Sequence, residues 1–242
     1  MRELLAAGRR PVRSLVMAEG LDESPLLDEI EALARRRRVR IERFSLRRLA
    51  ALAGTEAPQG VVAHAAPVPE VELDDLCRPS RRRRPFLVVL DGVTDPHNLG
   101  AVLRSAECAG ATGAVLPRHR AVHLTPAATK AAAGAIEHLP IAVVAGVPSA
   151  LRRLGELGIW TIGLDGAARR SLYDSAFGDD PLALVVGAEG EGLAALARKR
   201  CDELVAIPQY GALPSLNVST AAAVACFEIA RRRAGVSAGA QR

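Results

Sequence analysis

The sequence predicts an α/β protein with a small N-terminal domain and a larger C-terminal domain built on a parallel sheet. From residue 85 onward, short apolar segments alternate with helical patterns, which is typical of parallel strands joined by helices. Ahead of that region, residues 67–84 are rich in proline and charge, as linkers are. We therefore predict domains at residues 1–66 and 85–242, joined by a linker at 67–84.

The N-terminal domain shows a β-α-β-α-β pattern. Its strands are predicted at residues 12–17, 39–44 and 59–64, and its helices at 22–37 and 46–53. The first helix has apolar side chains at three- and four-residue spacing, so they share one face. Ser45 is a suitable N-cap for the second helix, because its hydroxyl can accept a hydrogen bond from a free amide of the first turn.

The C-terminal domain begins with the strand Phe86 to Leu90, a continuous apolar run of the kind that a parallel sheet buries on both faces. The remaining strands are predicted at 113–116, 141–144, 159–164, 182–186 and 203–207, with helices near 99–109, 126–137, 149–157 and 193–200. Asn98 is a natural N-cap for the first of these helices.

The last helix follows Asn217 and Ser219, either of which suits its N-cap. Between residues 221 and 229 this helix is apolar almost all the way round, with Glu228 as its only ionised residue. A helix on the surface of a monomer shows a polar face, so this one must be enclosed by the fold, by a partner subunit or by both. We predict a homodimer with this helix at the interface.

The charge of the chain fits an RNA-binding protein. The formal net charge is +5, and arginines cluster at residues 35–38, 81–84 and 231–233. Arginine binds phosphate and stacks on bases, although a codon bias toward arginine would produce the same composition. No apolar run is long enough to span a membrane and no signal peptide opens the chain, so we expect a cytoplasmic protein without membrane contact.

Neither a metal site nor a disulfide framework is indicated. The four cysteines lack CxxC spacing, and we expect reduced thiols. His119 and His123 are four residues apart, but the residues around them predict a loop and no carboxylate accompanies them. We expect no metal.

Three segments resemble motifs of the SpoU/TrmH class of RNA ribose methyltransferases, within the knotted SPOUT superfamily. They are DGVTDPHNLGAVLR at 91–104, LVVGAEGEGL at 184–193 and IPQYGALPSLNVS at 207–219. The resemblance implies a SPOUT domain with a trefoil knot, an L30e-like RNA-binding domain before it, and S-adenosylmethionine as cofactor. The subgroup that looks most similar is the bacterial 23S rRNA guanosine 2'-O-methyltransferases. We therefore expect methylation of a ribose 2'-hydroxyl in 23S rRNA.

The resemblance also assigns site residues. The implied catalytic set is Arg104, Asn98, Glu189, Ser215 and Asn217. The implied cofactor-binding set is Leu164, Gly187, Ile207, Leu216 and Asn217. Because arginine stays protonated in proteins, we expect Arg104 to stabilise the developing oxyanion or to orient an RNA phosphate, rather than to act as a base. The carboxylates of the 187–192 loop suit the cationic sulfonium of the cofactor better than a phosphate.

Other functions stay open at this point. Within the same class, the substrate could be tRNA, or a drug-binding rRNA nucleotide as in antibiotic-resistance methyltransferases. From another class, the chain could be a catalytically silent RNA-binding protein. The separate N-terminal domain favours rRNA over tRNA, and the presence of all five implied catalytic residues argues against a silent protein.

Overall fold

The computed structural model of the chain describes residues 1–53, 59–79, 84–119, 121–175 and 177–239. The chain divides into two compact units, Met1–Pro69 and Glu70–Arg242. The division falls inside the predicted linker, but much of that linker is ordered structure. Leu76 and Cys77 are buried in the core of the second unit, with Val71 and Leu73 packed against it. The linker prediction is therefore wrong for residues 71–77, because their apolar side chains pack into the core of the second unit. Arg81, Arg82 and Arg83 lie outside the described residues.

The first unit contains every predicted element and one more. The elements are α1 (Arg2–Ala7), β1 (Val12–Ala18), α2 (Pro25–Arg36), β2 (Arg40–Phe44), α3 (Leu46–Ala53) and β3 (Val61–Ala65). Strand β1 is central, parallel to β2 and antiparallel to β3. Leu15 and Met17 on β1 pack against Ile30 and Ala34 of α2, which confirms these positions of the predicted apolar face. Leu26 on the same helix is an exception, since it is 52% exposed. The additional helix α1 has only six residues, too few for a periodic pattern to reveal.

The second unit is a parallel sheet covered by helices, as predicted. Its strands are β4 (Phe86–Asp91), β5 (Gly113–Pro117), β6 (Ile141–Val144), β7 (Trp160–Leu164), β8 (Arg170–Ser171), β9 (Leu182–Gly187) and β10 (Glu203–Ala206). They follow the order β6-β5-β4-β9-β7-β10-β8, and every pairing between the described strands is parallel. Of these described strands, the two-residue β8 was not predicted.

The helices of the second unit also follow the prediction, with two exceptions: a four-residue helix inside the predicted linker, and the helix predicted at 126–137. They are α4 (Leu73–Leu76), α5 (Pro96–Cys108), α6 (Pro126–Ala131), α7 (Val147–Glu156), α8 (Ala195–Arg200) and α9 (Val218–Gly239). The helix predicted at 126–137 ends at Ala131 and resumes as a short 3₁₀ turn at Ala135–Glu137. Gly134, at φ 98°, has the left-handed backbone that stops an α-helix. None of the described helices is long and apolar enough to cross a bilayer.

Helix α9 is buried on one side within its own chain. Ala222, Ala225 and Ile229 are fully buried on the side that faces the core, whereas Phe227 on the opposite side is 52% exposed. Its C-terminal half is tied down by arginines of the 231–233 cluster. Arg232 donates to the carbonyl of Ser175 at 2.6 Å, and Arg233 donates to the carbonyl of Asp180 at 2.7 Å. Two arginines of this cluster therefore have a structural role, since they attach α9 to Ser175 and Asp180.

Candidate active site

Three of the predicted cofactor residues lie at one edge of the parallel sheet. Leu164 ends β7, Gly187 ends β9, and Ile207 directly follows β10. These strands are neighbours in the order β9-β7-β10 and run parallel, so their carboxyl ends meet at the same edge. We call it the carboxyl edge. In open α/β sheets, ligands bind in the crevice outside the carboxyl ends of the strands.

The segment that starts at the last residue of β9, residues 187–194, forms a tight turn that we call the glycine turn. Ala188 and Gly192 exchange two backbone hydrogen bonds, of 3.0 and 2.9 Å. A Cβ atom on Gly187 would lie only 2.1 Å from the carbonyl carbon of Gly192, so the two strands of the turn approach as closely as glycine allows. Glycine is required here because the neighbouring atoms belong to the backbone and cannot swing aside.

Asp91, at the end of β4, fixes the far end of the glycine turn. Its Oδ2 accepts a hydrogen bond of 2.8 Å from the backbone amide of Ala194. Burial raises the pKa of the Asp91 carboxyl, and the bond from Ala194 opposes that rise. Asp91 was not among the predicted site residues. The sequence feature that could have indicated it is a carboxylate directly after a buried strand, at the start of the first of the three motifs.

Three of the predicted catalytic residues form one hydrogen-bonded cluster beside this turn, which we call the Asn-Glu-Asn cluster. Asn98 Nδ2 donates to Glu189 Oε2 at 3.0 Å. Asn217 Nδ2 lies 3.1 Å from Asn98 Oδ1 and 3.4 Å from Glu189 Oε1. The cluster thus joins α5, the glycine turn and the start of α9 at a single point.

The prediction that Asn98 caps α5 is wrong. The helix begins at Pro96, and Asp95 is its N-cap, accepting a bond from the amide of His97 at 2.8 Å. Asn98 therefore lies inside the first turn, and its amide is not needed to cap the helix. It is 8% exposed, and both ends of its amide are used by the cluster. A buried amide satisfied only by two distant polar residues has a role beyond helix capping.

Asn217 combines capping with membership of the cluster. Its Oδ1 accepts from the amide of Ser219 at 2.9 Å and from the hydroxyl of Ser219 at 2.6 Å, as expected of an N-cap. Its Nδ2 points the other way, toward Asn98 and Glu189. The start of α9 and the position of Glu189 are thereby coupled through one side chain.

Arg104 and Ser215 are not part of the cluster within one chain. Arg104 lies on an exposed face of α5, six positions after Asn98, which is about 9 Å along the helix axis. In the described part of the chain, the side chain of Arg104 makes no hydrogen bond or ion pair. Ser215 is exposed in the loop before α9 and makes no hydrogen bond to a described residue. Leu216, beside it, is 38% exposed.

No set of three or more potential metal-ligating side chains is grouped together among the described residues. All four cysteines are free. Burial raises the pKa of Cys77 to about 11 and those of Cys201 and Cys226 to about 12, so these thiols are protonated at neutral pH.

Comparison with known proteins identifies the family. Residues 85–227 match the SpoU rRNA Methylase family, and residues 1–71 match the family described as RNA 2'-O ribose methyltransferase substrate binding. The chain belongs to the SpoU rRNA methylase family. The resemblance seen in the three motifs is thereby confirmed, and this SpoU methylase is an RNA methyltransferase.

Individual relatives agree with this assignment. The chain is 39% identical over 226 residues to the putative TrmH family tRNA/rRNA methyltransferase YacO of Bacillus subtilis, covering 93% of this chain and 90% of the relative. It is 47% identical over 178 residues to the 23S rRNA (guanosine-2'-O-)-methyltransferase RlmB of Photorhabdus laumondii, covering 72% of each chain. A solved structure of AviRb from Streptomyces viridochromogenes, in complex with the cofactor AdoMet, matches with a TM-score of 0.78 and 28% identity. That match covers 96% of this SpoU methylase and 87% of AviRb.

Proposed function

We propose that this SpoU methylase transfers a methyl group from S-adenosylmethionine to the ribose 2'-hydroxyl of a guanosine in 23S rRNA. The observation that carries the proposal is the Asn-Glu-Asn cluster beside the glycine turn, at the carboxyl edge where such sheets bind ligands. The name of the Photorhabdus relative, 47% identical, supports the choice of 23S rRNA and guanosine.

The residues at the carboxyl edge suit S-adenosylmethionine. Leu164 and Ile207 at this edge, together with Leu216 in the loop before α9, offer apolar surface for an adenine ring. Glu189 offers negative charge to a sulfonium, which is the opposite of what a phosphate would need. The structure of AviRb with AdoMet supports the same cofactor. When bound, S-adenosylmethionine supplies an activated methyl group.

The chain's own residues must then position the ribose and stabilise the charge that develops on it. Arg104 carries a guanidinium without a partner among the described residues, on a face formed by small residues, with Ala101 and Cys108 on either side. A protonated arginine can stabilise the developing oxyanion, or hold an RNA phosphate that takes the proton, but it cannot act as the base. Within the proposal, Ser215 binds the ribose, while Asn98 and Asn217 hold Glu189 and the glycine turn in place.

We propose that the active enzyme is a homodimer formed through the outer face of α9. Phe227 is 52% exposed on that face, and Thr220, Ala223 and Val224, one and two helical turns earlier, continue it without a charge. An aromatic side chain on a face of small, uncharged residues is a typical self-complementary contact. Because Arg104 and Ser215 are not brought to the cluster within one chain, a site completed by the second subunit would account for both.

Finer features of the fold are proposals as well. A trefoil knot is supported by the position of β10, the last of the described strands, which lies between β7 and β8 rather than at an edge of the sheet. An L30e-like fold of the first domain is supported by its three-stranded sheet, in the order β2-β1-β3. A substrate-binding domain within Met1–Pro69 and a catalytic domain within Glu70–Arg242 are supported by the two family matches and the two compact units. A cytoplasmic location follows from rRNA as the substrate.

The test is methyl transfer by the purified protein. Radiolabelled S-adenosylmethionine is incubated with unmodified transcripts of 23S rRNA, 16S rRNA and tRNA, and the RNA is digested to nucleosides. The proposal expects labelled 2'-O-methylguanosine from 23S rRNA alone. Label in tRNA would favour the tRNA alternative, and label on a base would contradict ribose chemistry. Absence of label from all three would favour a silent RNA-binding protein.

A further inference from the structure

A cleft in the first unit has the properties of an anion site. Its volume is about 370 Å³, and it lies between the C-terminal end of α1, the start of β1 and the end of α2. The residues that line it are Leu4, Gly8, Arg9, Arg10, Pro11, Val12, Arg37 and Val39. Three of the eight are arginines, and none of these described lining residues is acidic.

The arginines of the first unit differ in their partners. Some of those outside the cleft are paired with carboxylates. Arg35 contacts Glu31 at 2.8 Å, and Arg2 contacts Glu3 at 2.6 Å. Arg9 lines the cleft, is exposed, and makes no hydrogen bond or ion pair within the described residues. An exposed arginine without a carboxylate partner attracts an anionic ligand.

Two of the three guanidinium groups are held in place by backbone carbonyls. Arg37 Nη2 donates to the carbonyl of Ala6 at 2.9 Å, and Arg10 Nη1 donates to the carbonyl of Ala66 at 2.7 Å. The bond to Ala6 also covers a carbonyl at the end of α1 that would otherwise repel an anion. Each guanidinium has five N–H donors, so Arg37 can bind a ligand while its bond to Ala6 persists.

Glycine at position 8 makes room for this arrangement. Gly8 ends α1 with the left-handed backbone, φ 61°. A Cβ atom there would lie 2.0 Å from Arg37 Nη1, so a larger residue would displace the guanidinium from its position over the helix end. The apolar residues Leu4, Val12 and Val39 form the other walls of the cleft.

We propose that Arg9, Arg10 and Arg37 bind a phosphodiester group of the RNA substrate, so that this cleft anchors the RNA on the first unit. Guanidinium groups match phosphate oxygens in pairs, which fits a cleft lined by three of them. The proposal rests on the proposed function, since it takes RNA as the substrate. It adds a phosphate-binding site to a region matched only as substrate binding.

The experiment compares two double variants with the same change in charge. Arg9→Gln with Arg37→Gln removes two cleft arginines. Arg36→Gln with Arg47→Gln removes two exposed arginines that do not line the cleft and make no hydrogen bond or ion pair within the described residues. Binding of a 23S rRNA transcript is measured by filter retention between about 50 and 200 mM KCl.

The cleft variant should bind RNA roughly tenfold or more weakly, and its slope of log affinity against log salt should fall by about 1.5, for two lost phosphate contacts. The control should change less than about twofold. Equal losses in both variants, or no loss in either, would overturn the proposal, because a diffuse field rather than the cleft would then bind RNA. Arg9→Gln alone should lower the slope by about 0.8. Because this single variant breaks no described hydrogen bond, it keeps the test valid even if the double variant misfolds.

Two further measurements separate the remaining interpretations. Calorimetry with inorganic phosphate tests whether the cleft serves a free anion: phosphate binding that the cleft variant loses, with RNA binding unchanged, would overturn the RNA assignment. Methyl transfer at saturating RNA should be unchanged in the cleft variant, while its KM for RNA rises. If the wild type binds RNA through these arginines but transfers no methyl group, the proposed function fails and the cleft stands. If the KM is unchanged in the variant, the cleft fails while the proposed function stands.

Discussion

Replacing Gly187 by alanine should open the glycine turn and weaken cofactor binding. The added Cβ would lie 2.1 Å from the carbonyl carbon of Gly192, 2.3 Å from its oxygen and 2.4 Å from the nitrogen of Leu193. Atoms that are not bonded to each other approach to about 3.5 Å, so the turn must move by more than about 1 Å. All three neighbours belong to the backbone, so no rotation of a side chain can make room.

The cost can be worked from the bonds that such a movement breaks. Ala188 and Gly192 exchange two backbone hydrogen bonds, each worth about 0.5–1.5 kcal/mol net. Overpacking that is relieved by a backbone shift costs about 1–3 kcal/mol. Because the turn can open without disrupting β9, we expect a local cost of about 2 kcal/mol, which corresponds to roughly 30-fold weaker cofactor binding.

Calorimetry with S-adenosylhomocysteine and thermal unfolding provide the assay. Gly166→Ala is the matched control, since a Cβ there meets nothing within 4 Å and its φ is ordinary. The control should keep the affinity and melting temperature of the wild type, whereas Gly187→Ala should lose affinity and melt several degrees lower. If both variants bind S-adenosylhomocysteine as the wild type does, the close approach of Gly187 to Gly192 is not what shapes the cofactor site.

Three other predictions follow from the same structure. Arg104→Ala should keep its fold and its cofactor binding but lose at least about 100-fold in single-turnover methyl transfer, because this exposed arginine has no partner to lose among the described residues. Phe227→Glu should shift light scattering from dimer to monomer, because it places a charge on the outer face of α9. Glu228→Gln should lower stability by about 1–2 kcal/mol near neutral pH, since Arg231 and Arg232 hold the pKa of the Glu228 carboxyl down at about 2. That difference is fully present above the unfolded pKa near 4.5 and should fade as the pH falls from there to about 2, as urea titrations at several pH values would show.

Each of these three has a control and a result that contradicts it. Arg36→Ala removes an exposed arginine from the other unit and should leave methyl transfer unchanged. Activity of Arg104→Ala within about tenfold of the wild type would show that Arg104 is not central. A wild type that is monomeric at working concentration and fully active would contradict the dimer. A stability loss in Glu228→Gln that is constant from neutral pH down to about 2 would show that the carboxylate charge is not the cause.

The strands of the parallel sheet could be predicted because burial on both faces leaves a direct mark on the sequence. The strand predicted at Phe86 to Leu90 is Phe86–Asp91 in the structure, one residue longer than predicted. Features that depend on tertiary contacts could not be predicted in this way. The polar, proline-rich surroundings of residues 71–77 predict a linker, yet Leu76 is buried in the second unit. The cap of α5 was misassigned by three positions, because Pro96 begins the helix earlier than its apolar pattern does.

The contacts of the candidate active site also depend on tertiary structure and could not be predicted from the sequence. Asn98 and Glu189 are 91 residues apart, and Asn98 and Asn217 are 119 apart. No local pattern predicts that these side chains meet, because the contact depends on how β4, β9 and α9 are arranged in the fold. Resemblance to a family supplied the residues, and the structure supplies the hydrogen bonds that link three of them. The same arrangement leaves Arg104 outside the cluster, a point that the motif alone does not reveal.

Methylation of a ribose in 23S rRNA by this chain can be tested in cells. Ribose methylation is mapped across all RNA from cells that contain the protein, cells that lack it, and cells that carry only Arg104→Ala. We expect a single 2'-O-methylguanosine in 23S rRNA that is present in the first cells and absent from the other two. An identical methylation map in all three, or a lost mark that lies in another RNA or on a base, would contradict it.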